Sequence, residues 1–155
     1  MLETIISISV LTAAIIGPTA LSSRSIRYVD VARNNLIASN LAQEGLELVR
    51  NIHLNNRISG QSWLQRLTGP CNSANGCFID PIDLSIQGCG SKCRFLDFDK
   101  SLHLYNYNNG SKTIFRRILT FNSINSDEVV VISSVRWSDR FGNHNFALET
   151  SMLNW

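Results

Sequence analysis

Hydrophobic positions divide residues 1–56 into two helical halves of different character. From Thr4 to Leu21 the chain (TIISISVLTAAIIGPTAL) carries no charge at all. From Ser22 to Asn56 it becomes amphipathic. Ile26, Val29, Leu36, Ile37, Leu41, Leu48, Val49 and Ile52 recur at spacings of three and four, the period of one helix face. Arg24, Arg27, Arg33, Gln43, Glu47 and Arg50 take the remaining positions, and Ala32, Ala38, Ala42 and Gly45 thin the helix where a neighbour packs closely. An unbroken helix of this length would be on the order of 80 Å long, more than a small domain can bury. Gly17-Pro18 interrupts the apolar half, because proline removes a backbone donor and disfavours helical angles in the residue before it. A kink or a partly unwound stretch is predicted there.

Beyond the helix the period changes. The helix is expected to end between Asn55-Asn56 and Ser59-Gly60, and Gln61–Leu67 reads as a further helical turn or two. Residues 68–94 are rich in turn signals, with Gly69-Pro70, Asn75-Gly76 and Asp80-Pro81. Residues 95–155 read as strands at Phe95–Phe98, Leu102–Tyr107, Thr113–Phe121, Val129–Trp137 and Phe146–Leu153. Asn108-Asn109-Gly110 and Phe141-Gly142-Asn143 are natural turns between them. The predicted fold is α+β: an apolar helical segment over 1–21, then a globular part over 22–155 whose amphipathic helix packs on an antiparallel meander.

Composition sharpens this picture at three points. Basic and acidic residues number 14 and 12 in a chain of 155, so no nucleic-acid stripe or acidic tail stands out. Cys71, Cys77, Cys89 and Cys93 form a tight, even-numbered cluster among Gly, Asn and Ser, which predicts structural disulfides and an oxidising compartment. Zinc is the competing reading, but C-x5-C and C-x3-C fit its usual pairs poorly and no histidine lies nearby. Local pairing, Cys71–Cys77 and Cys89–Cys93, is favoured, with the other connectivities open. The uncharged run is long enough to span a bilayer and is not a signal peptide by pattern, since Glu3 stands where a basic n-region belongs. Arg24, Arg27 and Arg33 after the run favour a cytoplasmic following domain, and the cysteines favour the opposite; the cysteines carry more weight.

Candidate chemistry is sparse. His53, His103 and His144 are scattered, and there is no nucleophile elbow, phosphate-binding loop or paired-carboxylate frame. Neither an enzyme nor a cofactor site is expected. Asp80 with Asp83 and Asp97 with Asp99 read as loop residues rather than a calcium site. Arg116, Arg136 and Arg140 can approach one another across adjacent strands and contact a polyanion, while Arg117 points to the opposite face from Arg116. Asn109-Gly110-Ser111 matches a glycosylation sequon. Glu3, at the head of an apolar helix, complements the helix dipole. It reads either as an interfacial cap or as a charge awaiting a partner, such as the α-amino group of a neighbouring copy.

An acidic residue opening an uncharged helix, an amphipathic continuation and a disulfide-bearing antiparallel sheet together resemble a type IV pilin. The stretch Asn34–Ile52 (NNLIASNLAQEGLELVRNI) resembles the helix of bacterial prepilin-type proteins, the pilus-modification or minor pilins. The ending, from Val135-Arg136-Trp137-Ser138 through Leu153-Asn154-Trp155, is similar to their last hairpin. The resemblance implies a subunit that waits in the inner membrane, is processed by a prepilin peptidase, and is built by an assembly platform into a surface filament. Its partners would be copies of itself and other minor pilins. Glu3 would neutralise the N-terminus of the adjoining subunit, and Pro18 would match the helix-breaking proline. Glu3 is the third residue here where the family has its fifth, and no basic leader precedes it. The resemblance therefore implies either about two further residues and a leader upstream of Met1, or different processing.

The expected function is a structural subunit of a pilus-like filament that polymerises through its N-terminal helix. The alternatives are a minor or tip pseudopilin of a competence or secretion system and an anchored binding module that does not polymerise. A DNA-uptake pilin using Arg116, Arg136 and Arg140 would add nucleic acid as a partner.

Overall fold

The computed structural model describes residues 2–72 and 74–154, with the backbone alone at Gly17, Ala20 and Ser23. Residues 1–36 and residues 37–155 form two compact units. A single helix, α1 (Leu2–Ile58), contributes residues to both.

Within residues 1–36 the backbone stays helical through Gly17 and Pro18, so the unwound stretch expected there is not found. A proline removes only one backbone donor. One residue on, the Thr19 hydroxyl donates to the carbonyls of Ile15 and Ile16, at 3.0 Å each, and braces that turn. Among the described residues no helix is long and apolar enough to cross a membrane. The hydroxyls of Ser7, Ser9 and Thr12 turn back onto the carbonyls of Glu3, Ile5 and Ser9. Of the segment 1–21 expected to span a bilayer, Met1 lies outside the described residues, and Gly17 and Ala20 are described by their backbone alone.

In residues 37–155, α1 buries Ala38, Leu41, Ala42, Gly45, Val49, Ile52, His53 and Asn56, a spacing of three and four. The buried face is thus centred on small residues. Leu36 is exposed and Leu48 only half-buried, although both belong to the predicted stripe; Ile26 and Val29 are exposed as well. The helix ends at Ile58, within the expected region. Gly60, at φ 65°, adopts the left-handed conformation that closes helices, and its N–H donates to the Arg57 carbonyl. The next helical turn is α2 (Thr68–Cys71), at Gly69-Pro70 rather than over Gln61–Leu67. Proline is tolerated there because first-turn donors have no intrahelical partner.

The strands form two antiparallel sheets, not one meander. β1 (Cys77–Ile79), β2 (Ile86–Gly88), β6 (Arg116–Ser123), β7 (Glu128–Asp139) and β8 (Gly142–Leu153) build a five-stranded sheet in the order β2-β1-β6-β7-β8. β3 (Asp97–Asp99), β4 (Leu104–Asn106) and β5 (Ser111–Lys112) build a three-stranded sheet in the order β4-β3-β5. The Asn108-Asn109-Gly110 turn therefore does not join neighbouring strands, because β4 and β5 flank β3. The β7–β8 hairpin pairs Asp139 with Gly142, so its turn is Arg140-Phe141, one residue before the expected position. β1 enters the large sheet beside β6 through Gly76, at φ 71°, where a Cβ would run into the Leu119 carbonyl oxygen. Only glycine fits that approach.

Alternation along β6 and β7 supplies the inner face. Leu119 and Phe121 on β6 and Val129, Val131, Val135 and Trp137 on β7 are buried with the α1 face in two apolar clusters. Asp80 ties the small sheet to the β1 end. Its carboxylate accepts from the N–H groups of Ile82 (2.8 Å) and Tyr107 (3.0 Å) and from the Asn108 amide (3.0 Å).

Candidate functional site

The residues that alternate with the core positions build a groove on the outer face of the large sheet. On β6, Arg116, Ile118 and Thr120 face away from the buried Arg117, Leu119 and Phe121. Strand register sets Arg116 opposite Arg136 on β7, and Arg136 opposite Asn145 on β8. These positions line a groove of about 590 Å³.

Its far wall comes from the two disulfide loops. Cys71 pairs with Cys77 and Cys89 with Cys93, each with Cα atoms 4.5 Å apart. Ala74 and Asn75 from the first loop, and Ser91 and Lys92 from the second, reach the groove. The loops are fastened to each other. The Asn75 amide donates to the Gly90 carbonyl at 2.6 Å, and the Cys89 N–H to the Gly76 carbonyl at 2.9 Å. The turn-rich region of 68–94 is therefore a wall, and it also contributes β1 and β2 to the sheet.

Cations dominate this surface. Arg116 lies over the Phe95 ring, its guanidinium carbon 3.8 Å from the centroid, and the Lys112 ammonium is 5.1 Å from the same ring. Arg136 and Lys92 are exposed. Among the described residues lining the groove there is no carboxylate. At its end His144 stacks on Trp137 with ring centroids 5.2 Å apart, and its Nε2 lies 3.1 Å from Asp139.

The structure thus brings together Arg116 and Arg136 of the predicted basic set. It does not bring in Arg140, whose guanidinium lies over Phe141 in the β7–β8 turn, 4.7 Å from the ring centroid. Sequence reasoning missed Lys92 and Asn75. Their signal was position inside the two cysteine loops, which became informative only once those loops were folded against β6.

The other candidates fall elsewhere. Glu3 lies in the exposed first turn of α1, and among the described residues no basic group pairs with it. Asp99 accepts from the N–H and hydroxyl of Ser101, the N–H of Leu102 and the amide of Asn109. The Ser101 hydroxyl above all, then the N–H groups of Ser101 and Leu102, hold its carboxyl below the usual range; Ser85 does the same for Asp83. Among the described residues no three metal-ligating groups come together. The sequon residue Asn109 is exposed, with its amide engaged by Asp99.

No protein-family model, curated protein or solved structure matches this chain.

Proposed function

We propose that this protein is a structural subunit of a pilin-like surface filament, polymerising through the N-terminal part of α1. One observation carries the reading. Leu2, Ile5, Ile8, Leu11, Ile15 and Ile16 are each more than half exposed, on a helix that continues into a separately folded α+β unit. Fully burying one such aliphatic side chain contributes roughly 1.5–3 kcal/mol. Six of them covered by neighbouring copies supply about 10 kcal/mol before the cost of association. The partner that suits them is therefore another copy of the same helix, packed in the core of a fibre.

Glu3 fits that setting. Beside packed apolar helices its carboxylate needs a cation, and the α-amino group of an adjoining subunit is one of suitable size. The two disulfides agree with a filament that works outside the cytoplasm after assembly at the inner membrane.

The test is electron microscopy of surface fibres from cells producing the full chain or its Glu3→Ala variant. Helical fibres that contain the wild-type chain, with yield sharply reduced by Glu3→Ala, are expected. A wild-type chain that stays monomeric and is absent from every fibre refutes the proposal.

A further inference from the structure

We infer that the outer groove of the large sheet binds an acidic oligosaccharide, with Lys92, Arg116 and Arg136 holding its carboxylates. This is independent of the filament reading. Arg116 and Arg136 are direct cross-strand partners. Like charges placed so repel one another and destabilise a sheet. Neither has a carboxylate partner among the described residues, and none of the described lining residues is acidic. An anion between them removes the repulsion, and a guanidinium fork matches a carboxylate through two parallel hydrogen bonds.

The rest of the lining favours a sugar. Asn75, Ser138 and Asn145 present amides and a hydroxyl along the groove, which suit the mixed donor and acceptor character of sugar hydroxyls. A volume of about 590 Å³ is that of a small-ligand site. The disulfide loops hold the wall in place before binding, which lowers the ordering cost. Single-stranded nucleic acid needs open aromatic faces on which bases stack. Here the Phe95 ring is taken by Arg116 and Lys112, and Trp137 by His144.

The full chain with its disulfides intact is titrated at low ionic strength with trigalacturonic acid, neutral galactotriose and a short thymidine oligonucleotide. Trigalacturonate is expected to bind at least tenfold more tightly than galactotriose. Loss of one charged hydrogen-bonding group in Arg136→Gln should weaken it roughly tenfold. Arg140→Gln, outside the groove, should leave binding unchanged. Arg136 and Arg140 are both exposed, so Arg140→Gln should melt like the wild type and Arg136→Gln, which removes the like-charge pair, no lower than it. The inference is overturned if trigalacturonate does not bind, if galactotriose binds equally well, or if Arg136→Gln binds like the wild type. Equal weakening by Arg140→Gln, or tighter binding of the oligonucleotide, overturns it too.

Discussion

Arg117 on β6 and Glu44 on α1 form an ion pair of 2.7 Å, with the arginine side chain wholly buried and the glutamate about one-third exposed. The pair sits between the two apolar clusters, level with Gly45 and Ser133, and so divides the core with a polar seam. The guanidinium also donates to the Ile79 carbonyl at 3.0 Å, joining helix, β6 and β1 at one point. Removing one partner of a buried pair leaves an uncompensated charge, at a cost of about 3–5 kcal/mol. Glu44→Ala should lie at the lower end, about 3 kcal/mol, because water reaches the glutamate side. The double variant Glu44→Ala with Arg117→Met should be more stable than Glu44→Ala alone. Urea unfolding of the three proteins checks this, and a double variant less stable than the single one counts against a charge-burial penalty.

Gly45 is a point of close approach between α1 and the sheet. A Cβ there would stand 2.5 Å from Ser133 Oγ and 3.0 Å from Arg117 Cδ. Alanine gains up to about 1 kcal/mol of helix propensity, whereas overpacking a core costs typically 1–3 kcal/mol. Gly45→Ala should therefore be net destabilising, by about 1 kcal/mol. Ser133 Oγ is buried without a partner among the described residues, so Ser133→Ala should be nearly neutral alone. Combined with Gly45→Ala it should restore part of the loss. Additive effects in a double-mutant cycle would show that the hydroxyl is not what the new methyl meets.

The same seam explains what could be read from the residues and what could not. Long periodic segments were legible: α1 and the three long strands β6 to β8 fall close to where alternation puts them. The face of α1 was read from its large residues, yet its centre is Ala38, Ala42 and Gly45. The bulk on that side belongs to Phe78, Trp137 and Arg117 of the sheet and to Phe115 just before β6, and no helix-local pattern reports it. β1 and β2 were hidden for a related reason. They are three residues long, lie between the disulfides, and pair with strands close and distant in sequence, with Cys77 set against Leu119. The opposite orientations of Arg116 and Arg117 followed from strand period alone. That Arg116 meets Arg136 depended on register, which the β7–β8 turn and β6 pairing fix only in the folded sheet.

Reduction of the disulfides should act on one region. Each bridge closes a very short loop, which stabilises by about 2 kcal/mol in the chain-entropy model. Cys71 and Cys77 join α2 to β1, and all four cysteines are buried in the two clusters. With a reducing agent, limited proteolysis should begin to cut within 71–93, while the far-ultraviolet helical signal persists. An unchanged cleavage pattern after reduction is verified thiol by thiol would mean that the bridges do not hold this wall.

His53 gives the fold a dependence on pH near neutrality. It is buried on α1, with its ring edge-on to Trp63 at 5.7 Å and Nε2 without a partner among the described residues. Burial first, and then the positive charge of Arg57 one turn on, hold its pKa below the ordinary value of 6.5. The unfolded chain therefore binds a proton that the folded chain refuses. Stability is complete above the unfolded value and is lost as the pH falls below about 6.5. Asp83 and Asp99, also held low, lose their contributions only below their ordinary value of 3.8, so the two windows are separate. The melting temperature should drop between about pH 7 and pH 5, and less steeply in His53→Phe, which keeps a ring against Trp63. The rest of the chain is the same in both proteins, so the difference between the two curves isolates His53. Parallel curves for wild type and variant would show that His53 does not carry the slope.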